Sequence, residues 1–116
     1  MWLRYIIIKV RDTQRAKDFY VKLLNQEPYK EEVGRMVYFN LENIKVGLYN
    51  PLADGASLRD SDFGTNCRPA FGTEDLESEL KRVSAFAEII IQNKVDKHEW
   101  FEFKDSEGNI LEIHKI

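Results

Sequence analysis

Apolar and polar positions along the first half of the chain change period in a definite order. Residues 3–10 (Leu-Arg-Tyr-Ile-Ile-Ile-Lys-Val) are β-branched and apolar, which predicts a strand. Alternation puts Ile6, Ile8 and Val10 on one face and Tyr5, Ile7 and Lys9 on the other. Asp12 or Thr13 offers a helix cap, after which Ala16, Phe19, Tyr20, Leu23 and Leu24 recur at helical spacing. This predicts an amphipathic helix lying on the Ile6/Ile8/Val10 face and stopping before Pro28, because the residue before proline disfavours the α region. Strands follow at 35–41 and 44–49, joined by a turn at Glu42-Asn43.

The same order returns in the second half. A short strand from Cys67 to Gly72 precedes a helix capped within Thr73-Glu74-Asp75 and bearing Leu76, Leu80 and Val83. Strands are predicted at 87–92, 99–104 and 109–115, the last two joined by Asp105-Ser106-Glu107-Gly108-Asn109. Tyr5–Asp12 aligns with Arg68–Asp75, and Glu42–Tyr49 with Glu107–His114. Between the halves, residues 50–66 carry Pro, Gly, Asp and Ser with little periodicity and read as a connection, lying over a pocket. Two equivalent half-folds normally face a shared concavity, where small molecules bind. Phe19, Tyr20, Phe71, Phe101 and Phe103 are the expected aromatic core.

At 116 residues the chain suits one domain, 1–116, with modules of about 1–50 and 67–116. Its net charge of −3 offers no broad positive field, so neither nucleic acid nor an anionic membrane is an expected partner. The lone cysteine, Cys67, excludes an internal disulfide and suits a reducing compartment; it reads as a small buried hydrophobe. With no apolar span of about 20 residues and no basic start followed by an apolar segment, the expected location is cytoplasmic.

The run Ile8-Lys9-Val10-Arg11-Asp12, with Ala16, Phe19-Tyr20 and Leu24, resembles the first module of the vicinal oxygen chelate superfamily. The run from Trp100 to Ile113, an aromatic strand, an acidic-Gly-Asn turn and Ile110-Leu111-Glu112-Ile113, resembles its C-terminal signature. That superfamily includes glyoxalase I, bleomycin-resistance proteins, fosfomycin-resistance transferases and extradiol dioxygenases. The resemblance implies an α+β fold of two βαβββ modules forming a U-shaped open mixed sheet, commonly as a homodimer. It also implies a divalent metal held at four equivalent positions. Carried over one by one, these fall on Tyr5, Gly47, Arg68 and Glu112. Glu112 alone is a good ligand, and the fixed charge of Arg68 would repel a cation. Neither a metal nor a cofactor is therefore expected.

The side chains expected to line the concavity and bind a ligand are Tyr5, Ile7, Lys45, Tyr49, Arg68, Trp100, Glu102 and Glu112, with Gly47 leaving open space. Lys9, Ala70 and His114 share those faces. Blander roles remain open for each. Arg68 and Glu112 pair across the former metal position, Tyr5 and Tyr49 pack, Trp100 belongs to the core or a dimer contact, and His114 is solvated. Three functions follow as alternatives. The first is a metal-free binder of an aromatic or amphipathic organic ligand, similar to bleomycin-resistance proteins. The second is a lyase, isomerase or dioxygenase with an atypical metal site around Glu112, Glu102 and His114. The third is a structural or regulatory module with a filled cleft.

Overall fold

A computed structural model describes residues 1–57, 59–62 and 67–116. The chain divides into two compact units, Met1–Phe63 and Gly64–Ile116. In the first, β1 (Tyr5–Lys9), α1 (Thr13–Leu24), β2 (Lys30–Glu32), β3 (Met36–Asn40) and β4 (Lys45–Tyr49) follow one another. Their sheet order is β1-β4-β3-β2, with β1 parallel to β4 and the other pairs antiparallel. The second unit repeats this with β5 (Ala70–Thr73), α2 (Leu76–Ser84), β6 (Ile89–Val95), β7 (His98–Lys104) and β8 (Ile110–Lys115), in the order β5-β8-β7-β6. Both units are therefore βαβββ modules with mixed four-stranded sheets, and the fold class is α+β.

The apolar periods explain the packing. From α1, Ala16, Phe19, Tyr20 and Leu23 are buried, against a sheet face that buries Ile8, Val10, Val37, Phe39, Val46 and Leu48. The helix starts where the Asp12 carboxylate accepts from the Arg15 amide at 3.0 Å. It ends at Asn25, which turns left-handed at φ 53° three residues before Pro28. Asp75 caps α2 in the same way, accepting from Ser78 N at 3.0 Å. In the second core Val83, Phe101, Phe103, Leu111 and Ile113 are buried.

The turn between β7 and β8 is organised by one carboxylate. Asp105 Oδ1 accepts from the amides of Glu107 and Asn109, both at 2.8 Å, and its Oδ2 accepts from Asn109 Nδ2 at 2.9 Å. Gly108 takes φ 88°, where a Cβ would be strained. All three polar residues are buried, so this turn fixes where Glu112 emerges on β8.

Several sequence expectations need correction. β2 was not predicted: Lys30-Glu31-Glu32 has no apolar alternation, and its place comes from the antiparallel ladder with Met36–Tyr38. β5 begins at Ala70, not Cys67, because Pro69 has no amide hydrogen to give the ladder. Cys67, lying outside the strand, is exposed rather than buried. Phe71 is half-buried, since β5 is an edge strand. β6 spans Ile89–Val95, ending three residues beyond the predicted 92, with a register shift between Ile89 and Ile91. In the connection, Pro51–Asp54 and Asp60–Asp62 form short 3-10 helices; its residues 58 and 63–66 lie outside those described. Among the described residues no helix is long and apolar enough to cross a membrane.

Candidate functional site

Within each unit the sheet face opposite the helix carries the candidate residues, and strand register decides which of them meet. In the second unit Glu112 lies between Ala70 on β5 and Glu102 on β7, while Trp100 lies opposite His114. Two carboxylates on facing positions of neighbouring strands repel each other. Arg68 offsets this: its Nη1 donates to Glu102 Oε1 at 2.9 Å and sits 3.4 Å from Glu112 Oε1. The Arg68 side chain is 47% exposed, against 16% for Glu102 and 17% for Glu112. The guanidinium thus covers the two carboxylates from the solvent side.

The other Glu112 oxygen is also engaged. His114 Nε2 lies 2.7 Å from Glu112 Oε2, and His114 Nδ1 lies 2.7 Å from His98 Nε2. An ionised carboxylate only accepts, so the Nε2 proton belongs to His114; with His114 neutral, its Nδ1 accepts from His98. Trp100 stacks on the His114 ring at 5.6 Å and 8°. His114 is therefore half-buried and bonded on both nitrogens, not free in solvent. Trp100 is half-buried and borders two hollows of about 560 and 670 Å³.

In the first unit Gly47 lies between Ile7 on β1 and Tyr38 on β3. Space is not left open there. A Cβ on Gly47 would stand 2.6 Å from Met36 Cε and 2.8 Å from Ile7 Cδ1, so these two side chains already fill the position. Tyr49 is committed to a polar network. Its hydroxyl donates to Asp54 Oδ2 at 2.5 Å, and Arg35 Nε donates to both Asp54 oxygens at 3.1 and 3.2 Å. Arg35 Nη1 reaches Glu32 at 2.5 Å. The Tyr49 hydrogen bond, and then Arg35, hold the Asp54 carboxyl below its ordinary value. The same bond raises the Tyr49 phenol.

Tyr5 heads a separate cluster. Its ring lies 6.1 Å from Tyr38, Tyr38 lies 6.0 Å from Tyr29, and the hydroxyls of Tyr5 and Tyr29 are 3.3 Å apart. Lys45 Nζ stands 5.7 Å from the Tyr5 ring centre and 5.3 Å from that of Tyr29. Lys30 stands 5.2 Å from Tyr38, and the Arg4 guanidinium 5.2 Å from Tyr5. The hydrogen bond to Tyr5, followed by burial, pushes the Tyr29 phenol up to about 12.

The structure thus joins Arg68, Glu102, Glu112 and Trp100 in one cluster, Tyr5 with Lys45 in another, and leaves Ile7 as a filler beside Gly47. Sequence reasoning missed Tyr29, Tyr38 and Asp54. Tyr38 was readable, since it alternates onto the same strand face as Met36; Tyr29 and Asp54 lie in stretches without periodicity. Nor do the residues present fit a divalent metal. Of the four positions the resemblance implies, Glu112 has both oxygens engaged, Gly47 has no donor, and Arg68 brings a positive charge. Among the described residues no group of three or more His, Cys, Asp or Glu side chains is arranged to hold a metal ion.

No protein-family model matches the chain, and no curated protein matches it either. Solved structures do. A lactoylglutathione lyase from Agrobacterium tumefaciens superposes with a TM-score of 0.79 at 15% identity, over 98% of this chain and 92% of that one. A glyoxalase/bleomycin resistance protein from Albidiferax ferrireducens gives 0.78 at 14%, over 98% of both chains. An antibiotic binding protein from a Streptomyces species gives 0.74 at 16%, over 99% of this chain and 95% of that one. These likenesses agree with the vicinal oxygen chelate resemblance at the level of architecture: the chain has the glyoxalase/bleomycin-resistance-like fold.

Proposed function

We propose that this protein binds a small aromatic or amphipathic organic molecule and does so without the divalent metal used by enzymes of its fold. The observation that carries the reading is the Arg68 guanidinium resting on Glu102 and Glu112, where a cation would need free carboxylate oxygens. Half-buried tyrosine, tryptophan and histidine rings supply the apolar contact area such a ligand needs, with charged groups beside them to orient it. The antibiotic binding protein among the structural neighbours gives small-molecule binding a precedent on this fold.

The test is a thermal-shift screen followed by calorimetry, run in chelator against a broad panel of planar aromatic compounds, with elemental analysis of the purified protein. Binding of at least one compound by metal-free protein is expected. A stoichiometric divalent ion bound at Glu112, or a panel without a single binder, overturns the reading.

A further inference from the structure

Most cations with partners in this protein find carboxylates: Lys17 with Glu31 at 2.9 Å, Arg35 with Asp54 at 3.1 Å, Arg68 with Glu102 at 2.9 Å. The tyrosine cluster of the first unit departs from this. Among the described residues Lys45 and Arg4 have no carboxylate within ion-pair distance; the groups beside them are the faces of Tyr5 and Tyr29. Lys30, the third cation, has Glu32 at 3.8 Å, but that carboxylate is already held by Arg35 at 2.5 Å. In a chain with 20 acidic and 17 basic residues, two of the three cations on this aromatic patch thus have no carboxylate partner among the described residues.

An ammonium above a ring directs part of its surface at the π face and keeps its other N–H groups for an acceptor. Lys45 is half-buried, so it has lost part of its hydration without gaining an anion in return. The Tyr5 phenol registers the local positive charge. It is held below its ordinary value first by the hydrogen bond from Tyr29 and, against burial, by Arg4, Lys45 and Lys30.

We propose that this face selects its ligand by charge and takes a planar aromatic anion, a ring bearing a carboxylate or sulfonate. Lys45 and Arg4 hold the anionic group while Tyr5 and Tyr38 lie against the ring. The inference rests on the ligand-binding reading above and adds to it the sign of the ligand's charge. A cationic ring of the same shape meets repulsion here, and a neutral one gains only the aromatic contact.

Three probes on one skeleton separate these cases: naphthoate, naphthylmethanol and naphthylmethylammonium, titrated by calorimetry with NMR monitoring of the tyrosine rings. Naphthoate is expected to bind roughly tenfold or more tighter than the ammonium, to shift the Tyr5 and Tyr38 resonances, and to lose its advantage in added salt. Lys45→Gln is expected to abolish the preference, weakening naphthoate by a larger factor than naphthylmethanol. Arg4→Gln, at an exposed position, is expected to weaken the preference and serves where Lys45→Gln lowers stability. Equal or tighter binding of the ammonium, or a preference that survives both substitutions, overturns the charge assignment and leaves the ligand-binding reading standing. Failure of all three probes to bind overturns the charge assignment, and the broad panel above decides the ligand-binding reading separately.

Discussion

Gly47 and Glu112 occupy the same register position in the two units, and each is matched by its neighbour on the first strand. Ile7 stands beside Gly47, and the small Ala70 stands beside Glu112. Bulk on one strand answers its absence on the other, so a carboxylate cannot simply be restored at position 47. Gly47→Glu would push against Met36 Cε and Ile7 Cδ1 and is expected to destabilise the protein by about 1–3 kcal/mol through overpacking. Adding Ile7→Ala should recover part of that loss, because it vacates the volume the carboxylate needs. Urea unfolding of both variants checks this; a single substitution without loss would mean that the position is not filled. The spacing between halves made Gly47 and Arg68 legible as departures from a ligand set. That a methionine with three rotatable bonds would reach over Gly47 was not legible, because alternation gives a side chain's face and not its reach. Glu112 and His114, two apart on one strand, were read as neighbours, but the contact of His114 with His98 escaped for a related reason: it runs diagonally between β7 and β8, whose register only the ladder sets.

Among the elements, the two helices show what a cap contributes when packing is thin. Both begin at an aspartate whose carboxylate accepts from the amide three residues on, at 3.0 Å in each case. α1 is 12 residues long and buries Ala16, Phe19, Tyr20 and Leu23, whereas α2 has nine residues and buries only Val83 fully. Asp75→Ala is therefore expected to cost about 1 kcal/mol and to increase amide exchange across α2 before the rest of its unit. Hydrogen exchange read alongside the urea midpoint tests this; unchanged protection in α2 would show that the helix is held by its neighbours rather than by its cap. The helices, and the strands with apolar alternation, were readable because the signals of period and cap are local. β2 and the far end of β6 were not. Lys30-Glu31-Glu32 and Gln92-Asn93-Lys94 have no buried face to alternate, and they are strands because a neighbouring strand offers them hydrogen bonds.

For the molecule as a whole, duplication supplies two copies of one register, and divergence has given them different contents. The first unit presents tyrosine rings under cations, the second a guanidinium on two carboxylates beside stacked aromatic rings. The fold was legible from the order of elements and their near-constant offset, since both modules must repeat the same strand–helix–strand periods to build the same sheet. What was not legible is how each unit satisfies its own charges, which depends on side-chain geometry. Arg68 tests this directly. At 47% exposure its ion pairs contribute modestly in themselves, under about 1 kcal/mol after solvent screening. Its larger role is to keep Glu102 and Glu112 compatible on facing strands. Arg68→Ala should therefore lower the thermal midpoint in chelator, and millimolar Mn²⁺ should restore it by neutralising the exposed carboxylates. The wild-type midpoint should not respond to Mn²⁺, because the guanidinium already occupies those oxygens. If wild type and variant respond alike, Arg68 does not stand in for a cation, and the second unit holds its acidic pair by some other means.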